Sequence, residues 1–194
     1  MSEVDRLHWN ERYTSQDAED ERAPVARLAM HEHLLRPNTP DATALDLACG
    51  TGRNSFYLAQ LGYVVHAWDV SDVAIERLRT AATRLGLAEQ IRTQCLDLDE
   101  APLAAVAFDL VVDTYFLDRR LWPAMAAAVR PGGLLFLETL LATPQKPGRP
   151  DYYLQFGEIR SAFPAFTSIY AQENEAEGWA ALLAHRNAPG GASV

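Results

Sequence analysis

Short apolar segments alternate along the chain with longer segments whose apolar residues recur at helical spacing. The short segments are rich in β-branched residues and span about five residues each, a pattern that indicates buried strands. The first five predicted strands are residues 44–48, 64–68, 91–96, 108–112 and 134–137. Because helical patterns separate them, the order favours a parallel sheet with right-handed crossovers and helices on its faces.

Polar residues predict where the helices between these strands begin and end. Ser71 or Asp72 is a good N-cap for the helix after the second strand. Asp118 is predicted to cap a later helix that runs through Val129. The Pro-Gly-Gly at residues 131–133 is expected to stop that helix, because these residues are typical of a helix C-terminus.

The pattern changes after the fifth predicted strand. Residues 143–151 contain three prolines and one glycine and are predicted as a loop, followed by a short helix at about 157–163. Two further strands are predicted at about 166–172 and 179–185, joined as a hairpin. One of these two strands must run antiparallel to the rest of the sheet, and the tail at 187–194 is expected to fray.

Composition narrows the class of protein. The chain has 194 residues, 48% of them hydrophobic, and a net charge of −9. This length predicts a single globular domain. The acidic balance argues against binding to nucleic acid, and the absence of a long apolar run or a signal-like segment argues against a membrane or secretory protein. Cys49 and Cys95 are interpreted as reduced, buried thiols of a cytoplasmic protein.

The strongest local motif is the segment ALDLACGTGRN at residues 44–54. A strand ends there, the chain turns through Gly50 and Gly52, and a helix begins, so the backbone can approach a ligand closely. A tight structural turn would show the same two glycines. The segment also nearly fits a dinucleotide-binding fingerprint, and Asp69 at the end of the second strand could bind a ribose diol in either a dinucleotide or another adenosine ligand.

The order of the remaining motifs separates these alternatives. Acidic residues follow the third and fourth strands at Asp97 and Asp113, and Pro-Gly-Gly-Leu-Leu precedes the fifth. With the glycine loop and Asp69, this set resembles the class I S-adenosylmethionine-dependent methyltransferases over roughly residues 9–185. Residues 52–71 and the WNERY segment at 9–13 are similar to the tellurite-resistance-type subgroup. Residues 172–179 depart from that subgroup, because they are short and acidic where its members carry a His- and Arg-bearing segment.

The resemblance implies an α/β, doubly wound, Rossmann-like fold. Its seven-stranded, mostly parallel sheet would have an antiparallel C-terminal hairpin strand. It also implies a layout within one domain at 1–194. The parts are an N-terminal helical cap at 1–40, a cofactor-binding core at 41–139, an acceptor-side loop and helix at 140–164, a β-hairpin at 165–186 and a frayed tail at 187–194.

S-adenosyl-L-methionine is the cofactor that the resemblance implies. Its binding residues would come from an N-terminal lid, the glycine loop and the ends of the strands. They are Trp9, Arg12, Tyr13, Asp46, Ala48, Gly50, Thr51, Gly52, Asn54, Asp69, Val70, Asp97, Leu98 and Asp113. No metal is expected.

The acceptor site is expected beyond the carboxyl ends of the fourth and fifth strands, where open α/β sheets bind their ligands. Asp113 and Tyr115 are the predicted catalytic residues, with a positioning role. The predicted acceptor-binding residues are Tyr115, Arg119, Glu138, Arg149, Tyr152 and Tyr153.

The chain is therefore interpreted as a methyltransferase, acting as a monomer or homodimer by in-line displacement. Its acceptor would be a small, soft or anionic molecule such as a thiol, selenite or tellurite. A non-catalytic protein that binds S-adenosylmethionine or S-adenosylhomocysteine and an NAD-dependent oxidoreductase are the alternative hypotheses.

Overall fold

A computed structural model describes residues 3–15, 23–99, 103, 108–144, 146–149 and 151–188. Within these ranges the strands are β1 Thr43–Leu47, β2 Val64–Asp69, β3 Ile91–Cys95, β4 Phe108–Thr114, β5 Val129–Leu140, β6 Phe166–Asn174 and β7 Trp179–Arg186. The helices are α1 Glu3–Ser15, α2 Ala26–Ala29, α3 Glu32–Leu35, α4 Arg53–Leu61, α5 Asp72–Arg84, α6 Trp122–Ala128 and α7 Glu158–Ser161, with a 3-10 turn at Arg119–Leu121. The predicted frayed tail falls, from residue 189 onward, outside the described residues.

The strands form one seven-stranded sheet in the order β3-β2-β1-β4-β5-β7-β6. β1 pairs in parallel with β2, β2 with β3, and β4 with β5. β7 is antiparallel to both β5 and β6. The predicted α/β fold with an antiparallel C-terminal hairpin is therefore confirmed.

By its contacts the chain divides into two compact units, a first unit at Met1–Pro102 and a second unit at Leu103–Val194. In the first unit, α4 and α5 cover the β1–β3 strands, with Leu45, Leu58, Ile75 and Leu78 almost fully buried. Each such side chain contributes roughly 1.5–3 kcal/mol by its removal from water. Ser71 caps α5, because its Oγ accepts a hydrogen bond from the Ala74 amide at 3.1 Å, as predicted.

In the second unit, β5 and β7 pair along a mostly apolar register. Seven residue pairs link them, from Leu134 opposite His185 to Leu140 opposite Trp179. Phe136 and Leu183 face each other in this register, and both are fully buried. In the second unit, β5 is thus paired with the β6–β7 hairpin, and polar residues, Glu138 and Thr139, lie near its C-terminal end.

The predicted end of the helix before β5 was wrong. The helix stops at Ala128, and β5 begins at Val129 and runs through the Pro-Gly-Gly segment that was expected to be a turn. A Cβ on Gly133 would lie 2.8 Å from the carbonyl oxygen of Asp109 on β4. Glycine therefore allows β5 to continue close beside β4, where the register shifts between Phe108 and Leu110.

Two predicted helices are shorter than expected. Asp118 is a cap, because its Oδ1 accepts a hydrogen bond from the Arg120 amide at 2.9 Å, but the segment it begins is a 3-10 turn that precedes α6. The helix expected at 157–163 spans only Glu158–Ser161.

Candidate functional site

The loop between β1 and α4 holds three residues in the left-handed region within five positions. Their φ angles are 49° at Ala48, 55° at Gly50 and 95° at Gly52. A Cβ on Gly52 would lie 2.7 Å from the side chain of Leu78 on α5, so glycine is required there by packing as well as by backbone conformation. The result is a sharp turn at the carboxyl end of β1, within which the Cys49 amide donates to the Trp68 carbonyl oxygen and the Gly52 amide donates to the Cys49 carbonyl oxygen.

Asp69, at the end of β2, fixes the shape of this loop. Its Oδ2 accepts a hydrogen bond from the Gly50 amide at 2.8 Å, and its Oδ1 accepts one from the Ser71 amide at 2.8 Å. Burial raises the pKa of Asp69, while these two hydrogen bonds act in the opposite direction. A carboxylate has about four lone-pair positions, so its predicted contact with a ribose diol remains compatible with both bonds.

Asp46 on β1 is the second buried carboxylate of the first unit. Ser55 Oγ donates a 2.6 Å hydrogen bond to its Oδ2, whereas its Oδ1 has no hydrogen-bond partner among the described residues. Burial raises the pKa of Asp46 to about 7. A buried, unsatisfied carboxylate oxygen is costly, and a ligand ammonium group would satisfy it. The site therefore fits the cationic amino group of S-adenosylmethionine.

Helix α1 carries the three predicted lid residues, and it contacts the glycine loop. A Cβ on Gly50 would lie 2.7 Å from the Tyr13 hydroxyl, so this side chain covers the loop. Tyr13 stacks on Trp9 at 5.8 Å between ring centroids, and the Arg12 guanidinium lies 5.3 Å from the Trp9 ring. Arg77 on α5 donates a hydrogen bond to the carbonyl oxygen of Tyr13.

The first turn of α5 anchors the same helix. Asn10 Nδ2 donates to Asp72 Oδ1 at 2.7 Å, and its Oδ1 accepts a 2.6 Å hydrogen bond from Ser71 Oγ. Arg6 also bonds to Asp72. Sequence reasoning missed Asn10, although it lies inside the WNERY segment, because only the aromatic and basic residues of that segment were interpreted.

The ends of β2 and β3 supply the predicted adenine side of the site. Val70, which follows β2, and Leu98, which follows β3, are both buried, and Asp97 next to Leu98 is half-buried. Asp97 Oδ1 accepts a hydrogen bond from the Asp99 amide at 2.9 Å, which fixes the turn after β3. The structure thus gives these residues ordered positions, and their contact with adenine stays a prediction.

Two other predicted cofactor residues differ in environment. Asn54 is buried, and its Oδ1 accepts a hydrogen bond from the Val25 amide at 3.0 Å, so this side chain holds the segment that precedes α2. Thr51 is half-buried in the glycine loop.

The prediction that both cysteines are buried was wrong. Cys49 is buried in the loop, and burial raises the pKa of its thiol well above the ordinary value. Cys95 is exposed, because it lies at the end of β3, which is an edge strand of the sheet.

In the second unit, polar residues lie where β4 and β5 end. Asp113 and Glu138 are fully buried. They lie at consecutive positions of the β4–β5 register, where Asp113 is opposite Leu137 and Glu138 is opposite Thr114. The Tyr115 hydroxyl donates a 2.8 Å hydrogen bond to Glu138 Oε1, and its amide donates to the Glu138 carbonyl oxygen at 2.7 Å. Tyr115 adopts φ 59°, a left-handed conformation that costs a bulky residue of the order of 1–2 kcal/mol.

Arg119 is held by a residue that the sequence did not indicate. Its guanidinium forms a two-point ion pair with Glu158, with 2.8 Å between Nη2 and Oε2, and it donates to the carbonyl oxygen of Tyr153 at 3.1 Å. The hydrogen bond from Arg119 lowers the pKa of Glu158. The Arg149 guanidinium lies 4.5 Å from the ring centroid of the exposed Tyr152. The structure thus brings the predicted acceptor residues together in pairs.

The glycine loop, the clamped Asp69 and the sheet order point to one family. The methyltransferase domain family matches residues 44–133. A probable S-adenosyl-L-methionine-dependent methyltransferase, TehB of Haemophilus influenzae, is 31% identical over 121 residues, which cover 59% of this chain and 41% of TehB. A ubiquinone biosynthesis O-methyltransferase of Xanthomonas axonopodis is 34% identical over 108 residues, covering 53% and 45% of the two chains.

The crystal structure of TehB from Haemophilus influenzae resembles this fold with a TM-score of 0.72 and 22% identity. The match covers 94% of this chain and 67% of TehB in that structure. The expected resemblance to class I and tellurite-type methyltransferases is confirmed. The chain spans less than half the length of the two curated relatives.

Two features are absent from the described residues. No helix in them has the length and apolar character needed to cross a membrane. No group of three or more His, Cys, Asp and Glu side chains within the same ranges could hold a metal ion.

Proposed function

We propose that this chain is an enzyme that transfers the methyl group of S-adenosylmethionine to a small molecule. The observation that carries the proposal is the buried Asp46 Oδ1, which lacks a hydrogen-bond partner among the described residues beside a glycine loop held open by Asp69. A cationic amino acid ligand would satisfy that oxygen, and the match of residues 44–133 to the methyltransferase domain family supports the choice of ligand.

In this proposal, different residues of the first unit bind different parts of the cofactor. Asp46 binds the ammonium group, the loop backbone around Gly50 and Gly52 lies against the methionine part, and Asp69 binds the ribose diol. Asp97 bonds the adenine amine. The remaining contacts come from Ala48, Thr51, Asn54, Val70, Leu98 and, over the loop, Trp9, Arg12 and Tyr13. When bound, S-adenosylmethionine supplies an electrophilic methyl group, so the chain has to align the acceptor and exclude water.

The proposed acceptor is a small, soft molecule such as a thiol, with selenite and tellurite as the anionic candidates. The charges of the second unit favour the thiol. Of the two predicted acceptor-binding cations, Arg119 is neutralised by Glu158 through a two-point ion pair, and Arg149 packs on the Tyr152 ring. Asp113 and Glu138 are buried carboxylates at the ends of β4 and β5, and they repel a second negative charge. Among the predicted acceptor contacts, Tyr115, Tyr152 and Tyr153 are neutral.

The pH dependence of cofactor binding tests the role of Asp46. Since burial raises its pKa to about 7, the carboxyl group is mostly protonated at pH 5.5 and ionised above 7. Binding of an ammonium group requires the ionised form. The affinity for S-adenosylmethionine, measured by calorimetry, should therefore rise from pH 5.5 to 7 by at most about tenfold per pH unit.

The matched variants are Asp46→Asn and, as a control, Asn at the exposed Asp41. Asp46→Asn should weaken binding and abolish its rise with pH, whereas Asp41→Asn should retain both. A methyl-transfer assay over thiols, selenite and tellurite then tests catalysis. Binding without turnover on that panel would favour a non-catalytic binding protein, and NAD binding in place of S-adenosylmethionine would favour an oxidoreductase.

A further inference from the structure

The hydrogen-bonded pair of Tyr115 and Glu138 stands at the carboxyl ends of β4 and β5. We propose that this pair accepts a proton from the methyl acceptor. The inference rests on the proposed methyl transfer and specifies its substrate as protic, meaning a thiol or hydroxyl that arrives with its proton. It also gives different roles to the two residues, because Tyr115 contacts the acceptor and Glu138 acts through Tyr115.

The contrast in exposure between the two side chains supports these roles. Tyr115 is 45% exposed, whereas Glu138 is fully buried and Tyr115 donates directly to its Oε1. A small molecule can therefore reach the phenol but reaches the carboxylate only through it. This arrangement resembles a relay in which a surface hydroxyl is oriented and activated by a buried acceptor.

The backbone of Tyr115 shows that its position is enforced. A φ of 59° is unfavourable for an aromatic residue, and two hydrogen bonds to Glu138, one from the amide and one from the hydroxyl, hold it there. Strained residues of this kind cluster at active sites, where the surrounding structure maintains a conformation that the residue alone would avoid. The strain thus places the hydroxyl where Glu138 can accept its proton.

The proton transfer balances within the pair. As the acceptor atom bonds to the methyl carbon, it loses its proton to Tyr115 Oη, and the original phenolic proton of Tyr115 moves to Glu138 Oε1. The Glu138 carboxyl group then returns its proton to Tyr115 Oη as Tyr115 releases the other proton to water, so both residues return to their starting forms. An acceptor that is already an anion gains nothing from this pair.

Two thiols at pH 7 test the inference. 2-Mercaptoethanol is largely protonated at that pH, and 4-nitrothiophenol is largely a thiolate. Tyr115→Phe removes the hydroxyl and keeps the ring. It should lower kcat/KM for 2-mercaptoethanol about 100-fold, as expected for loss of a general base, and lower that for 4-nitrothiophenol about threefold or less.

Glu138→Gln provides a second variant, because the amide keeps the shape of the side chain and can accept the hydrogen bond but cannot take the proton. It should show the same selectivity between the two thiols. Tyr170→Phe is the matched control, since it also removes a tyrosine hydroxyl that donates a hydrogen bond. That hydroxyl donates to Gln172 at 2.7 Å, and both residues are on β6. That variant should change neither rate. S-adenosylmethionine binding by calorimetry and the melting temperature provide readouts that do not depend on turnover.

Equal losses on both thiols in Tyr115→Phe and Glu138→Gln would overturn the inference, because they would indicate a structural role. Unchanged rates on both thiols would also overturn it. Failure of the proposed function looks different: the unsubstituted chain would bind S-adenosylmethionine but methylate neither thiol, and the thiol acceptor would then be rejected together with the proton transfer.

Discussion

The two units use buried carboxylates in different ways. In the first unit, Asp69 bonds to the backbone amides of Gly50 and Ser71, so the carboxylate shapes a loop. In the second unit, Glu138 bonds to the side chain of an exposed tyrosine, so the carboxylate acts on a group that solvent can reach. The first arrangement suits a ligand that lies close against the loop backbone, and the second suits a substrate recognised through side chains.

The two arrangements are expected to respond differently to substitution. A loop whose shape depends on glycines and a clamped aspartate changes little when surface side chains change. A site formed by Tyr115, Arg119 and residues far along the chain can change its specificity through a few substitutions.

The largest expected effect on stability comes from a substitution that disturbs the packing of the glycine loop. In Gly52→Ala, the new Cβ would lie 2.7 Å from Leu78 at a φ of 95°, so overpacking and backbone strain add. We expect a loss of about 3 kcal/mol in the free energy of unfolding, measured by urea denaturation. Gly86→Ala is the control, since no heavy atom lies within 4 Å of the new Cβ at a φ of 71°, and it should cost only about 1 kcal/mol. Equal costs would contradict the packing argument.

Asp69 should show the next largest effect. Asp69→Ala removes two acceptors of backbone hydrogen bonds, and we expect S-adenosylmethionine binding to weaken by roughly 1–3 kcal/mol in calorimetry. Loop support and ribose recognition can be separated with a cofactor analogue that lacks both ribose hydroxyls. If Asp69 binds the diol, the penalty of the substitution should shrink for that analogue. Unchanged affinity for the natural cofactor would remove Asp69 from the site.

Substitutions in the Arg119–Glu158 ion pair test whether Arg119 has a structural role or binds an anionic acceptor. The pair is partly exposed, so a double-mutant cycle with alanine at both positions should give a coupling free energy of about 1 kcal/mol. KM for a thiol should change little in Arg119→Ala. A large rise in KM for selenite with no loss of stability would instead assign Arg119 to an anionic acceptor.

The smallest expected effect has the opposite sign. Ala48 adopts a φ of 49°, a left-handed backbone conformation that favours glycine. Ala48→Gly should therefore stabilise the chain by about 0.5 kcal/mol, visible as a rise in melting temperature of about 1–2 °C. Ala59→Gly, in the interior of α4, should lower it. A drop in both variants would mean that the Ala48 side chain contributes packing that outweighs its strain.

Most of the fold could be predicted because its signals are local. Strands bounded by turn residues, the Ser71 cap and the glycine loop each lie within a few residues of the pattern that predicts them. The start of β5 was not predictable, since Pro-Gly-Gly is typical of a helix end and only the close approach of Gly133 to Asp109 makes it part of a strand.

The residues of the candidate site also differ in whether a local sequence pattern predicts them. Asp46, Asp69 and the loop glycines were found from a motif within one βαβ segment. The partners of the second unit are separated by 23 residues for Tyr115 and Glu138 and by 39 for Arg119 and Glu158. No local pattern specifies such pairs, because they depend on how strands and loops meet after folding.

The bond from Gly50 to Asp69 also has a consequence for the order of folding. The two residues are 19 positions apart, so the loop obtains this hydrogen bond only after β2 has formed beside β1. A nascent chain that ends between them has the glycines but lacks the group that sets their geometry. The glycine motif alone should therefore not bind the cofactor during synthesis, and binding by this loop should begin only after residues 69–71 have left the ribosome.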